Sequence, residues 1–169
     1  RGALVGLLTS TDLLAAEVAD FFVPRRELPL QRARDIMTSK VITVAPEDLI
    51  MEAVAKLAKG RVRHLPVVDP EGKLVGFLSD RDLELPFGLS LVSESDPDTM
   101  PKYVRDLIRG KPSTLSPEAP IGELIRLFAH RRLEAAPVVS ATGYLEGVVS
   151  YVDLLAAVHP DRPPRVARA

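Results

Sequence analysis

Cysteine is absent from the chain, which excludes disulfides, thiolate metal sites and cysteine nucleophiles and fits a reducing compartment. Histidine is scarce: His64, His130 and His159 are the only three, and none gives the His-x-x-x-His spacing of a transition-metal site. Neither sign of charge is in excess, with 22 Lys and Arg against 23 Asp and Glu, so no global field would draw the protein to nucleic acid or to an anionic membrane. No apolar run approaches the roughly 18 residues of a spanning helix, and direct membrane insertion is not expected. A Gly-x-Ser-x-Gly elbow, a Walker loop and the Rossmann glycine set are all missing. No catalytic residue and no metal ligand is therefore assigned, an enzyme is not expected, and the cytoplasm is the expected location.

What is present is apolar surface and repetition. Hydrophobic residues make up 46% of the chain, enough to bury the core of one ordinary domain or of two small ones. Two segments superimpose without gaps at an offset of 71 residues. Asp35 falls on Asp106, Thr43 on Thr114, Pro46 on Pro117, Glu47 on Glu118, Glu52 on Glu123, and Pro66-Val67-Val68 on Pro137-Val138-Val139. Gly72 then falls on Gly143, Gly76 on Gly147, Ser79 on Ser150, and Asp82 on Asp153. A partial third copy opens the chain, where Gly2, Leu4, Val5, Gly6, Thr9, Asp12 and Leu13 match Gly72 to Leu83 at an offset of 70. The expected organisation is half a motif over 1–23, a linker over 24–34, a motif over 35–88, a linker over 89–103, a motif over 104–158, and a Pro/Arg-rich tail over 159–169. Half a motif cannot bury a core alone, and the chain reads as a fragment of something longer.

Each complete copy predicts a β-α-β-β-α unit. Val41-Ile42-Thr43-Val44 reads as a short strand, and Pro46-Glu47-Asp48 as a helix start. Ile50, Ala53, Val54 and Leu57 then give one apolar helix face, kept as Ile121, Leu124, Ile125 and Phe128 in the second copy. Leu65-Pro66-Val67-Val68 and Leu74-Val75-Gly76-Phe77-Leu78 read as a hairpin turning at Asp69-Pro70-Glu71-Gly72, with a second helix starting at Ser79. The fold class is α/β: tandem β-α-β-β-α repeats forming small three-stranded sheets covered by helices, related by a pseudo-twofold axis with clefts between the halves.

Two features carry candidate chemistry. The first is Gly-x-x-Ser/Thr-x-x-Asp, present as Gly6 to Asp12, Gly76 to Asp82 and Gly147 to Asp153. It reads as a capping-box-like pair at a helix start, or as a cleft-facing helix end whose carboxylate accepts hydrogen bonds from a ribose diol. The second is Arg61-Val62-Arg63-His64, either the solvated end of a helix or a cation cluster for phosphate oxygens. In the second copy Arg63 becomes Glu134 and His64 becomes Ala135, while Asp80-Arg81 becomes Tyr151-Val152. A site bordered by Glu134 should repel a polyphosphate, with Arg81 partly offsetting it if the two share a cleft.

Asp35-Ile36-Met37-Thr38, the Val41–Val44 stretch, His64-Leu65-Pro66-Val67-Val68-Asp69 and Gly76-Phe77-Leu78-Ser79-Asp80-Arg81-Asp82-Leu83 together resemble a cystathionine-β-synthase (CBS) motif in order and spacing. Val104 to Val158 resembles it again, and the N-terminal piece resembles its last third. The resemblance implies a Bateman module: a pair of motifs binding AMP, ADP, ATP or S-adenosylmethionine as a regulatory ligand, not a cofactor, and regulating an attached or partner protein. It also implies a homodimer through the CBS helices and clefts that combine both motifs. Carried over, one site joins Ser150 and Asp153 to Val44, Pro46, Val62, Arg63 and His64. The other joins Ser79, Arg81 and Asp82 to Leu115, Leu133, Glu134 and Ala135. The first is the expected phosphate site, because Glu134 and Ala135 depart from the family pattern. Pro86 is a further departure that shortens the helix after Asp82. Two alternatives stand beside this reading: a ligand-free structural or dimerisation module, and a divalent-cation sensor built on Glu94, Asp96 and Asp98.

Overall fold

Each repeat places its apolar positions so that a helix and a hairpin bury one face against each other, and the computed structural model of the chain realises that pattern twice. It describes residues 30–83 and 101–158 together with Leu7, Thr9 and Asp12. The rest of the N-terminal half motif, Pro86, the acidic linker and the tail from His159 lie outside the described residues. The elements run α1 (Ala33–Ile36), α2 (Ile50–Gly60), β1 (His64–Val68), β2 (Leu74–Ser79), a 3₁₀ turn (Val104–Leu107), α3 (Ile121–Arg131), β3 (Ala135–Val139), β4 (Leu145–Ser150) and α4 (Tyr151–Val158). The structure is thus mixed α/β, with antiparallel hairpins β1–β2 and β3–β4.

The expected three-stranded sheets are reduced to two strands each. Of Val41–Val44 only Val44 pairs, through a single parallel bridge to Val67, and Leu115 does the same with Val138. The helix start also shifts. Asp48 closes a tight turn by accepting the Ala45 N–H at 3.1 Å, so α2 begins at Ile50 rather than beside Pro46. Both long helices end on an arginine in the left-handed region, Arg61 at φ 50° and Arg132 at φ 52°. The hairpin turns use Gly72 and Gly143 at φ 86° and 89°, a conformation that costs glycine nothing.

The segment leading each motif packs on the other motif. Ala33 is buried among Leu115, Ile121, Leu124 and Phe128 of the second motif, while Val104 is buried among Val44, Ile50, Leu65 and Val67 of the first. Backbone hydrogen bonds repeat this exchange with the same offset. Arg34 N donates to Pro117 O at 3.1 Å and Arg105 N to Pro46 O at 2.9 Å. The first amide of α3, on Ile121, donates to Gln31 O at 3.1 Å, and that of α2, on Ile50, to Lys102 O at 3.1 Å. Helix starts leave such N–H groups without intrahelical partners, so each lead segment completes the helix of the other motif. Glu118 pairs with Arg32 and Arg34, and its counterpart Glu47 pairs with Arg105. These exposed pairs add orientation more than stability.

The two hairpins also meet at their turns. Leu74 N donates to Gly143 O at 3.0 Å and Leu145 N to Gly72 O at 3.4 Å, reciprocal bonds between equivalent residues that mark a pseudo-twofold axis. Among the described residues no helix is long and apolar enough to cross a membrane.

The exchange explains the repeated glycine of β2 and β4. A Cβ at Gly147 would lie 2.6 Å from Met37 Sδ and 2.9 Å from the backbone oxygen of Thr38, while one at Gly76 would lie 3.1 Å from the Ile108 side chain. Gly147→Ala is therefore expected to destabilise by about 1–3 kcal/mol and Gly76→Ala by less, since only the former meets backbone. Urea denaturation of the two variants checks this order; equal losses would contradict the packing.

Candidate functional site

The two serine–aspartate pairs form alike. Ser79 ends β2, and its N–H and Oγ–H donate to Asp82 Oδ2 at 2.8 and 2.6 Å, while Asp82 N donates back to Ser79 Oγ at 3.4 Å. Ser150 and Asp153 repeat this at 2.7, 2.6 and 3.4 Å. Thr9 and Asp12 show the same pair, with the Thr9 N–H donating at 2.8 Å. The capping-box reading of the three copies is therefore structural fact. It spends only Oδ2; Oδ1 of Asp82 and of Asp153 takes no hydrogen bond from a described residue, which leaves it able to accept from a ligand hydroxyl.

An open cleft of about 250 Å³ lies beside Asp82. One wall is the end of the first hairpin: His64, Phe77, Ser79 and residues 80–82. The other comes from the second motif: Arg132, Leu133, Glu134 and Ala135. The set Ser79, Arg81, Asp82, Leu133, Glu134 and Ala135 is thus brought together, whereas Leu115 is buried in the core of the second motif.

The residues expected beside Asp153 are distributed differently. His64 lines the Asp82 cleft. Arg63 Nε donates to Asp80 Oδ2 at 2.8 Å, and its Nη1 stands 3.4 Å from Glu134 Oε2. Val44 is buried in the first core, the Pro46 carbonyl accepts the Arg105 amide, and Val62 is exposed. Arg81 does share the cleft with Glu134, Nη2 to Oε1 at 2.9 Å.

Phe77, Asp80 and Arg132 line the cleft and are the residues that reading the sequence for a site did not pick out. Register places Pro66 opposite Phe77 and His64 opposite Ser79, so His64 and Phe77 are diagonal neighbours on one face. Their rings stack at 5.4 Å with planes 10° apart. The signal was available in the two-residue alternation of β2, which puts Phe77 on the face of Ser79. Asp80 is visible only as a charge beside Arg81; its pairing with Arg63 depends on the hairpin register.

The Arg63 hydrogen bond holds the Asp80 carboxyl below the usual carboxylate range, and the same bond raises Arg63. Burial pushes the His64 pKa down, against the opposing pull of Glu134 and Asp80, and so favours the neutral imidazole. Among the described residues no cluster of three or more His, Asp or Glu could hold a metal ion.

This geometry has relatives. The CBS domain family matches residues 33–84 and 104–160, and the chain belongs to that family. The structure resembles that of CBSX2 in complex with AMP, at a TM-score of 0.68 and 28% identity over 78% of this chain and 98% of that one. It shares the fold of the CBS domain pair of protein MJ0100 in complex with 5′-methylthioadenosine and S-adenosyl-L-methionine, at a TM-score of 0.68 and 23% identity over 79% of this chain and 100% of that one. In sequence it is 32% identical to inosine-5′-monophosphate dehydrogenase of Korarchaeum cryptofilum over 125 residues, which are 74% of this chain and 24% of that enzyme.

The lowered His64 pKa yields a pH prediction. Unfolded chains bind a proton on histidine below about pH 6.5, where folded His64 does not, so the unfolded state takes up more protons and stability falls as pH drops through that window. The depressed Asp80 acts separately, below about pH 4. The melting midpoint should fall between pH 7.5 and 5.5, and fall less in His64→Phe, whose ring keeps the stack on Phe77. An equal fall in both proteins would assign the effect to another group.

Proposed function

We propose that the chain is a regulatory module that binds an adenosine-containing ligand between its two motifs and passes its occupancy to an attached or partner protein. The observation that carries this reading is the cleft that joins the Ser79–Asp82 helix start of one motif to Leu133-Glu134-Ala135 of the other. A ribose diol would donate to Oδ1 of Asp82, which takes no hydrogen bond from a described residue, as carboxylates do in other nucleoside sites. The apolar stem of the second wall and the His64–Phe77 stack would flank the base. The volume, about 250 Å³, suits a nucleoside better than a whole dinucleotide. Asp153 and Ser150, which form the same pair, give the second candidate site.

AMP, ADP, ATP and S-adenosylmethionine are the candidate ligands; the likeness to a CBS structure holding AMP supports that class. Because each wall belongs to a different motif, a bound ligand favours one relative orientation of the halves over another, which is the differential binding that coupling requires. Met51 and Leu49 are exposed apolar residues at the start of α2, and they support pairing with a second copy through that helix.

The test is a thermal-shift and calorimetric titration with adenosine, AMP and S-adenosylmethionine on the wild type and on Asp82→Asn and Asp153→Asn. At least one ligand should raise the melting midpoint, and at least one substitution should weaken its binding about tenfold, equivalent to 1.4 kcal/mol. Asn keeps part of the cap, so affinity can be read on folded protein. Unshifted melting with all three ligands would reject the reading, and wild-type affinity in both variants would reject the site.

A further inference from the structure

Groups that are equivalent about a twofold axis and lie near it must face each other. Arg63 and Glu134 are equivalent, separated by the repeat offset of 71 residues. Two identical motifs would set arginine against arginine here, or glutamate against glutamate, at a repulsive distance. This chain sets Arg63 Nη1 3.4 Å from Glu134 Oε2 instead. The second oxygen of Glu134 takes Arg81 Nη2 at 2.9 Å, so one carboxylate holds two guanidinium groups across the cleft. Arg63 in turn donates to Asp80 at 2.8 Å. Asp80 and Arg81 have no charged counterparts, because Tyr151 and Val152 stand at those positions in the second motif.

The consequence is chemical. Among the described residues, Asp80, Asp82 and Glu134 stand with Arg63, Arg81 and Arg132 around the cleft, and Asp12 adds a further carboxylate that acts on Arg132. Arg63 and Arg81, two of the cations at the cleft, already hold a carboxylate. An entering phosphate would have to displace Glu134, whose side chain is only 31% exposed, and leave it half-buried without its partners. It would also meet Asp80 and Asp82 at close range.

We propose that Glu134 is an internal anion that sets the specificity of the Asp82 cleft, excluding the phosphate of nucleotides by occupying Arg63 and Arg81 and so selecting adenosyl compounds without phosphate. The proposal rests on the reading that this cleft takes an adenosyl ligand. It makes Glu134 a specificity residue and Arg63 and Arg81 its positioning partners.

Two probes at low salt, where exposed charges are least screened, test it on the full chain. The first is inorganic pyrophosphate, which reports the freed arginines without any nucleoside. It should leave the melting midpoint of the wild type unchanged, raise that of Glu134→Gln, and lose this effect in Glu134→Gln combined with Arg81→Ala. The second is calorimetry with adenosine and AMP in the presence of Asp153→Asn, which isolates the Asp82 cleft. There adenosine should bind about tenfold more tightly than AMP, and Glu134→Gln should raise AMP affinity by about tenfold while changing adenosine less than twofold. Glu134→Ala serves as a second variant should the glutamine amide retain the arginines. If neither Glu134 variant gains pyrophosphate protection, or if AMP and adenosine bind the wild-type cleft equally, the proposal is overturned. If pyrophosphate separates the variants from the wild type but adenosine binds none of them, the internal anion stands and the adenosyl reading of the cleft falls.

Discussion

The exchange of lead segments is the constraint on which the rest of the structure depends. Neither hairpin-and-helix unit closes by itself: Ala33 fills the core of the second motif, and Val104 fills that of the first. The same segments supply Gln31 O and Lys102 O to the first amides of the two long helices. A motif cut off from its partner would lose a core residue and leave a helix end unsatisfied, so the pair is the smallest unit that buries its own surface. Gly76 and Gly147 follow from this, since each lies under the lead segment of the other motif where a side chain would not fit.

Because the exchange fixes the two motifs about a pseudo-twofold axis, it also fixes which residues meet across it. The cleft beside Asp82 takes its two walls from two different motifs, and any difference between the repeats becomes a difference between facing walls. The replacement of Arg63 by Glu134 and of Arg81 by Val152 is such a difference. It converts what would be a like-charge contact into an ion-paired cluster of four side chains. At the Asp82 cleft, capping uses one carboxylate oxygen, so under the proposed function stability and recognition would draw on different atoms of one side chain.

Much of this was legible in the sequence, and for local reasons. The helix over Ile50–Gly60 follows from apolar spacing, the hairpins from β-branched runs around Gly72 and Gly143, and the Ser–Asp caps from their separation of three residues. The third strand was misjudged because Val41–Val44 has strand-forming side chains but only Val44 reaches a neighbour; propensity does not supply a partner. The exchange was not legible, since nothing in Ala33-Arg34-Asp35-Ile36 says which hairpin it covers, although the repeated Gly76 and Gly147 mark a close approach of some kind. Residues of the clefts were named by the family resemblance, yet the pairing of Arg63 with Asp80 and Glu134, and the stacking of His64 on Phe77, depend on register and on the axis.

If the space between the motifs is a nucleoside site ordered by the capping aspartates, as proposed, saturating adenosine must occupy it. A crystal structure of the chain grown with saturating adenosine tests it most directly. A nucleoside is expected between the motifs, with ribose hydroxyls within about 2.5–3.0 Å of Oδ1 of Asp82 or Asp153. Empty clefts at saturation, or a nucleoside held away from both aspartates, would contradict it.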